Sequence, residues 1–475
     1  MYGITRPVFL FLKKRAFAFL LLSFLALRLG TLLTSVESVY WYDEGARGII
    51  GKELIDGLKV PLWNYQGEPY NGGSLWTGVL AVPFFLLLGP NLFALKLVPL
   101  LFSLATLVLT YFFFKKFFDR KTALFASALL VLSPPVVTVI SLVAIGSHSE
   151  SPFFSIALLF LFYEFIYNQK RKIVHLILFG FTGGLGFWFA PITSLTLLTC
   201  WVSWFLLDRP SFLSSKMLIF LGALGMGLLP FVVYLSTEKE GMFEFLRYAL
   251  LWGETSCFSL QAKLKSIPIR MVTFIFQSLP LIFRFRSFFG ISGRLLSGLY
   301  GLGVMLIVIP FFWRFLRLKS AKLFPFLLYP VFFILVYVLS NFSVSFLRVY
   351  SSDEFRYFAP FYYFAFCLIA LALRSQKSPT LFLSFFLGLG LVGQGSLLFK
   401  EPWGRAFHYQ GYSYTGLGEI WRVYHYPFPK KFSQFQQLAQ RYPEPERRFL
   451  YWGLGNYAGY TLDPHVLQDP GSPQA

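Results

Sequence analysis

The chain has 475 residues, of which 56% are hydrophobic and only 13% are charged. With 60 Phe residues and a mean hydropathy of +0.61, it is too apolar for a water-soluble domain of this size. The net charge of +20 does not indicate a nucleic-acid partner, because Lys and Arg cluster between apolar runs as the positive-inside rule expects. The composition therefore predicts an all-α polytopic protein surrounded by membrane lipid.

Apolar runs long enough to cross a bilayer recur along the whole sequence, and we predict about eleven transmembrane helices. The first run follows four basic residues and lacks a small-residue cleavage site, so we interpret it as an uncleaved span. Residues 74–89 and 271–289 are short or broken by proline, and we predict interfacial or re-entrant helices there. The predicted spans cover residues 16–34, 92–114, 122–142, 152–169, 173–190, 191–207, 216–236, 293–313, 323–340, 358–373 and 379–399.

Four basic clusters set the predicted orientation. They lie at residues 115–121, 170–172, 314–322 and 374–377, and all four fall on the cytoplasmic side if 271–289 does not cross. If that segment does cross, every later loop changes side. In the first case the outward parts of the chain are residues 35–73, 143–151, 237–292, 341–357 and the tail from residue 400.

The first outward loop begins with two adjacent carboxylates, Asp43 and Glu44, just past the first span. Two charges at the edge of a hydrophobic span are costly unless water, a metal ion or a substrate compensates them. Apolar residues at helical spacing over 46–58 predict an amphipathic helix on the membrane face, with Asp43 at its N-cap. Capping alone would explain one carboxylate but not two.

The same loop continues with Glu68, Tyr70 and Asn71 among glycines. Aromatic rings stack on sugar faces and amides bind hydroxyl groups, so this composition is typical of a sugar site. An ordinary turn with interfacial aromatic residues is the alternative.

Two later loops carry further candidates. His148 and Glu150 lie between two apolar runs, and a histidine with a carboxylate can bind a divalent metal ion; a solvated loop tip is the alternative. Arg348 and Arg356, the latter followed by Tyr357, precede another span. Arginine binds phosphate through paired hydrogen bonds, whereas the alternative is an interfacial anchor or a salt bridge to a neighbouring acid.

The order of these features resembles the GT-C superfamily of integral membrane glycosyltransferases, in particular its protein O-mannosyltransferase and lipid A aminoarabinose transferase branch. The resemblance rests on Asp43-Glu44 with the following helix, on Gly-Glu-Pro-Tyr-Asn-Gly-Gly (67–73), on the Gly-Pro-Asn turn (89–91) and on Arg356-Tyr357. It covers residues 1–400, with the first outer loop and its interfacial helices at 35–91. Outside it, we predict that residues 401–475 form a small extracytoplasmic C-terminal region, with a disordered end as the alternative for the last ten residues.

The resemblance implies a polyprenyl-phosphate sugar donor and a lipid, glycan or protein acceptor at the outer face of a bacterial cytoplasmic membrane. It implies that Asp43 is the catalytic base, that Glu68 lies at the site, and that the acid of the second outer loop is Glu150. The family more often has aspartate there, which leaves use of a divalent metal ion through His148 and Glu150 open. We expect Glu44, Glu68, Tyr70, Asn71, Arg348, Arg356 and Tyr357 to bind substrate.

The reaction makes modest demands on the protein. A phosphate with a second pKa of ~6 is already a good leaving group, so no acid is needed to protonate it. One base and positive charge for the departing phosphate suffice, and direct attack predicts inversion at the sugar carbon. A membrane transporter or flippase is the alternative function, although transporters place ionisable residues near the bilayer midplane rather than in outer loops.

Overall fold

The computed structural model describes residues 5–35, 43–57, 72–168, 173–237, 291–318, 320–339 and 357–399, with short pieces between 267 and 285 and residue 440. These residues form α-helices joined by turns. The helices are α1 Thr5–Ser35, α2 Asp43–Asp56, α3 Gly72–Leu88, α4 Leu92–Phe117, α5 Arg120–Val131, α6 Pro135–Ile140, α7 Ser151–Tyr167, α8 Ile173–Phe189, α9 Ser194–Leu207, α10 Arg209–Phe212, α11 Ser215–Thr237, α12 Gly293–Leu318, α13 Phe324–Leu339, α14 Ala359–Arg374 and α15 Pro379–Phe399.

The predicted spans coincide with helices, with one correction at residues 122–142. That stretch is not one helix: α5 ends at Val131 and the short α6 begins at Pro135. The consecutive prolines Pro134 and Pro135 lack backbone donors and clash with the preceding turn, so the helix stops before them.

Among the described helices, five are long and apolar enough to cross a bilayer. They cover Arg15–Thr34, Leu92–Phe117, Ser215–Val233, Gly293–Phe315 and Pro379–Leu398. Six further apolar helices are shorter. The protein is therefore a multi-pass, all-α membrane protein, and the total of about eleven spans stays a prediction.

The chain divides into two compact units. The loop unit contains residues 35–99, 142–147 and 402–475, and the bundle unit contains residues 1–34, 100–141 and 148–401. Helix α4 starts in the loop unit and continues in the bundle unit.

Helix α14 forms the core of the bundle unit. Every residue from Ala359 to Leu373 is buried except Phe361, which is half-buried. Its tyrosines are hydrogen-bonded: Tyr362 donates to the carbonyl of Ile282 over 2.8 Å, and the hydroxyls of Tyr363 and Thr110 lie 3.2 Å apart. Elsewhere in the unit, large apolar side chains such as Leu218 and Leu306 are exposed, which a surrounding bilayer explains.

Helices α8 and α11 pack side by side through small residues. A Cβ built on Gly180 would lie 2.5 Å from the carbonyl oxygen of Phe220, and one built on Gly184 would lie 2.2 Å from that of Leu224. Residue numbers rise together along the contact, so the two helices run parallel. Glycine allows this close backbone approach, as it does between many membrane helices.

Three of the four basic clusters meet at one end of the bundle unit. Arg374 forms an ion pair with Asp119 at 2.8 Å, and Arg314 donates to the carbonyl of Ser375 at 3.3 Å. The ammonium group of Lys322 lies 5.7 Å from the ring of Tyr167 at the end of α7. We refer to this end, where α4, α7, α12 and α14 finish, as the basic end.

The directions of α11 and α12 follow from their positions relative to the basic end. Helix α8 starts a few residues after the end of α7, so the parallel helix α11 runs away from the basic end. Helix α12 finishes at the basic end and therefore starts at the opposite one. Helix α11 therefore ends, and α12 starts, at the end of the bundle unit opposite the basic end. Whether 271–289 crosses stays a prediction, because that segment lies mostly outside the described residues.

Candidate active site

Helix α2 begins at Asp43, the residue predicted as the catalytic base. The sequence placed Asp43 at the N-cap, and the difference of one position is within the usual uncertainty of helix ends. The backbone of Asp43 is described, whereas its side chain lies outside the described part of the chain.

Helix α2 packs on α3 within the loop unit through apolar side chains. Ile49 and Ile50 are buried, and Ile55 near the end of the helix is exposed. A Cβ built on Gly78 of α3 would lie 2.4 Å from the Cβ of Ile50 and 2.7 Å from the carbonyl oxygen of Arg47. Only glycine permits this approach, because the nearest obstacles include backbone atoms.

Glu44 is fully buried at the first turn of α2. The ammonium group of Lys96 on α4 lies 2.7 and 2.8 Å from its two carboxylate oxygens, and the backbone N–H of Ala144 donates to the same carboxylate over 2.6 Å. Lys96 is equally buried. A buried carboxylate needs a charged partner and further donors, and Glu44 has both.

The segment 142–147 is held on α2 and α3 at two more points. The Nε of Arg47 donates to the carbonyl of Ile145 over 3.0 Å. Gly146 has a φ of +84°, and a Cβ built on it would lie 2.4 Å from the carbonyl oxygen of Gly73. Residues other than glycine are disfavoured at such a φ, and their Cβ would clash here. Parts of the first and second predicted outer loops therefore contact each other in one unit.

The remaining residues of the second predicted outer loop belong to the bundle unit. There the ring of His148 packs edge-on against the ring of Tyr357, with centroids 4.5 Å apart. The hydroxyl of Ser149 donates to the carboxylate of Glu150 over 2.8 Å, and Glu150 is buried. The structure thus joins two predicted site residues, His148 and Tyr357, from loops distant in sequence.

The described residues contain no group of three or more His, Cys, Asp or Glu side chains placed to hold a metal ion. His148 and Glu150 would therefore need a ligand from outside the described chain. The predicted substrate-binding residues Glu68, Tyr70, Asn71, Arg348 and Arg356 all lie outside the described residues.

Sequence reasoning missed Lys96 as a partner of the site. Its signal was present, since Lys96 is a single ammonium group near the start of an otherwise apolar run. A charge in such a run usually has a protein partner. The identity of that partner, Glu44, is 52 residues away in sequence and follows only from the fold.

Residues 77–236 match the family model described as dolichyl-phosphate-mannose-protein mannosyltransferase. The solved structure of ArnT from Cupriavidus metallidurans bound to undecaprenyl phosphate aligns with 92% of this chain and 75% of its own, with a TM-score of 0.50 at 15% identity. The chain has a GT-C fold. The resemblance deduced from the sequence is therefore confirmed at the level of the fold.

Other GT-C structures align with lower scores. The Archaeoglobus fulgidus oligosaccharyltransferase complex with Zn and sulfate has a TM-score of 0.47 at 16% identity and covers 90% of this chain. AglB from the same organism, in complex with an inhibitory peptide and a dolichol-phosphate, has 0.46 at 15% over 92% of this chain. The chain spans 57% and 61% of the length of these two proteins. No curated protein sequence matches the chain.

Proposed function

We propose that this GT-C protein is a glycosyltransferase that moves a sugar from a polyprenyl-phosphate donor to an acceptor at the outer face of a bacterial cytoplasmic membrane. The acceptor is a lipid, a glycan or a protein. The match of residues 77–236 to a mannosyltransferase family supports this proposal, as does the fold shared with an enzyme solved with undecaprenyl phosphate.

The observation that carries the proposal is the anchored start of α2. Glu44 has Lys96 and the N–H of Ala144 as partners, so its carboxylate holds α2 in position. We therefore assign Glu44 to positioning, rather than to direct contact with substrate. Asp43, the residue before it, is then the carboxylate of the pair that serves as general base.

The proposed reaction is a single displacement. Asp43 takes the proton from the acceptor hydroxyl as its oxygen attacks the sugar carbon that carries the phosphate. The bond from that carbon to the phosphate oxygen breaks, its electron pair stays with the polyprenyl phosphate, and the sugar carbon is inverted.

The other predicted residues complete the proposed site. Glu68, Tyr70 and Asn71 bind the sugar through hydrogen bonds and ring stacking. Arg348 and Arg356 bind the phosphate, and Tyr357 contributes the ring that packs against His148. A divalent metal ion at His148 and Glu150 stays a prediction, and the displacement does not require one.

The test is a transfer assay with the full-length protein in membranes and a polyprenyl-phosphate sugar donor. We expect Asp43→Asn to lower turnover about 10²-fold or more, because an amide cannot accept the proton. Asp56→Asn is the matched control, since Asp56 is an exposed carboxylate at the last residue of the same helix. Retained turnover in Asp43→Asn would refute the base assignment. Movement of a solute across vesicles without any glycosylated product would favour the transporter function instead.

A further inference from the structure

Arg28 is a buried arginine inside the first span. Its side chain is only 1% exposed, and it lies seven residues before the end of α1 at Ser35, or about 10 Å along the helix axis. Charged side chains at such positions are rare in membrane helices and commonly mark functional sites.

The partners of Arg28 are all uncharged. Its Nε donates to the hydroxyl of Ser141 at 3.0 Å, and its Nη2 donates to the hydroxyl of Ser133 at 3.0 Å and to the carbonyl of Leu130 at 3.3 Å. The guanidinium carbon also lies 4.8 Å from the ring centroid of Phe24. These contacts fix the guanidinium group, but none of them neutralises its charge.

One nitrogen of the guanidinium group lacks a hydrogen-bond partner. The buried Nη1 makes no hydrogen bond, and among the described residues no carboxylate forms an ion pair with Arg28. An uncompensated buried cation is strongly unfavourable in a low-dielectric environment. The arrangement therefore favours an anion from outside the chain.

Arg28 lines a cavity of about 50 Å³ within the bundle unit. Its lining combines the hydroxyl-bearing residues Ser103, Thr106 and Ser141 with apolar ones that include Leu130 and Phe366. The three hydroxyls donate to backbone carbonyls, so Arg28 is the donor among these polar residues that has an N–H without a partner. A cationic donor with a free N–H beside an apolar wall suits an amphiphile that has an anionic head and a hydrocarbon chain.

We propose that this cavity binds the phosphate group of the lipid carrier, with Arg28 as a further cationic donor beside those assigned above. The inference rests on the proposed function for the identity of the carrier, whereas the anion site itself follows from the buried charge. Release of the sugar converts a phosphate diester into a monoester, which carries about −1.5 to −2 charges at pH 7. Arg28 would therefore hold the spent carrier more tightly than the sugar-loaded one.

The test measures binding without any acceptor, so that it does not depend on sugar transfer. The full-length protein in lipid nanodiscs is titrated with three probes: a polyprenyl monophosphate, the matching polyprenol without phosphate, and inorganic phosphate. We expect Arg28→Gln to weaken binding of the polyprenyl phosphate about tenfold or more, and to leave the polyprenol unaffected. Arg314→Gln is the control, because Arg314 is an exposed arginine at the basic end, away from this cavity.

A second variant covers the case in which Arg28→Gln fails to fold. Ser103→Leu places a larger apolar side chain in the cavity wall and leaves Arg28 intact, so it is expected to weaken the same probe. Unchanged affinity for the polyprenyl phosphate in the folded variants would overturn the proposal, while the transfer assay with Asp43→Asn would remain valid. Arg28-dependent binding of inorganic phosphate, but not of the lipid, would also overturn the carrier assignment.

Discussion

Lys96 contacts both carboxylate oxygens of Glu44, at 2.7 and 2.8 Å, and neither side chain is exposed to solvent. The pair joins the first turn of α2 to the start of α4, and the N–H of Ala144 ties residues 142–147 to the same carboxylate. The start of α2, where Asp43 lies, is therefore fixed by two elements that are far apart in sequence.

Removal of Lys96 should destabilise the protein strongly. Lys96→Met leaves the Glu44 carboxylate buried without its cation, and we expect the free energy of unfolding to fall by about 3–5 kcal/mol. The unfolding midpoint in detergent measures this effect. The control is Lys52→Met, because Lys52 pairs with Asp56 at a partly exposed position, where such a pair contributes about 0–1 kcal/mol. Equal effects of the two substitutions would contradict the assigned role of Lys96.

Gly78 should not tolerate a side chain. Gly78→Ala places a Cβ 2.4 Å from that of Ile50, so α2 and α3 must separate, and we expect a loss of about 1–3 kcal/mol. Gly222→Ala in α11 is the matched control, since nothing lies within 4 Å of its Cβ and alanine favours a helix. The two variants are compared by their unfolding midpoints; a normal midpoint for Gly78→Ala would mean that α2 and α3 do not pack this closely.

The course of the helices predicts the sides of two loops. A reporter fused after Lys377 should face the cytoplasm, because α14 finishes at the basic end. A reporter fused after Glu401 should face outward, because α15 leaves from that end. Paired alkaline phosphatase and green fluorescent protein fusions distinguish the two sides. Opposite signals would show that the basic end faces outward.

The ring of Tyr357 should matter more than its hydroxyl. Tyr357→Phe keeps the edge-on contact with His148, whereas Tyr357→Ala removes a ring contact worth about 0.5–1.5 kcal/mol. We therefore expect the alanine variant alone to impair transfer, as measured by kcat and KM for the donor. Equal impairment in both variants would instead assign the role to the hydroxyl group.

Much of the fold was predictable from composition and local pattern. Long apolar runs predicted most helix ends to within about five residues, because a span must satisfy its own backbone hydrogen bonds in lipid. Helix α1 begins earlier, at Thr5 rather than at residue 16. The exception was residues 122–142, where the hydrophobicity of the run outweighed the two prolines in the prediction. The packing of α2 on α3 was not predicted, since helical periodicity identifies an apolar face but not its partner.

The candidate site was predictable in part. The sequence predicted Asp43-Glu44, His148 and Tyr357 as site residues because polar residues at the ends of apolar runs are unusual. Their roles were harder to separate: Glu44 and Asp43 are neighbours in sequence, yet only Glu44 has a described partner across the fold. Lys96 and the N–H of Ala144 carry no local signal that links them to Glu44.

By itself, the sequence determined that this is an all-α membrane protein with acidic and aromatic residues next to its first span, because hydrophobicity and charge act locally along the chain. Only the tertiary structure decided that Glu44 is an anchor and that Arg28 has no acidic partner in the described chain. It also decided that α11 ends and α12 starts at the same end of the bundle unit. Those facts depend on contacts between residues distant in sequence, and packing alone selects such contacts.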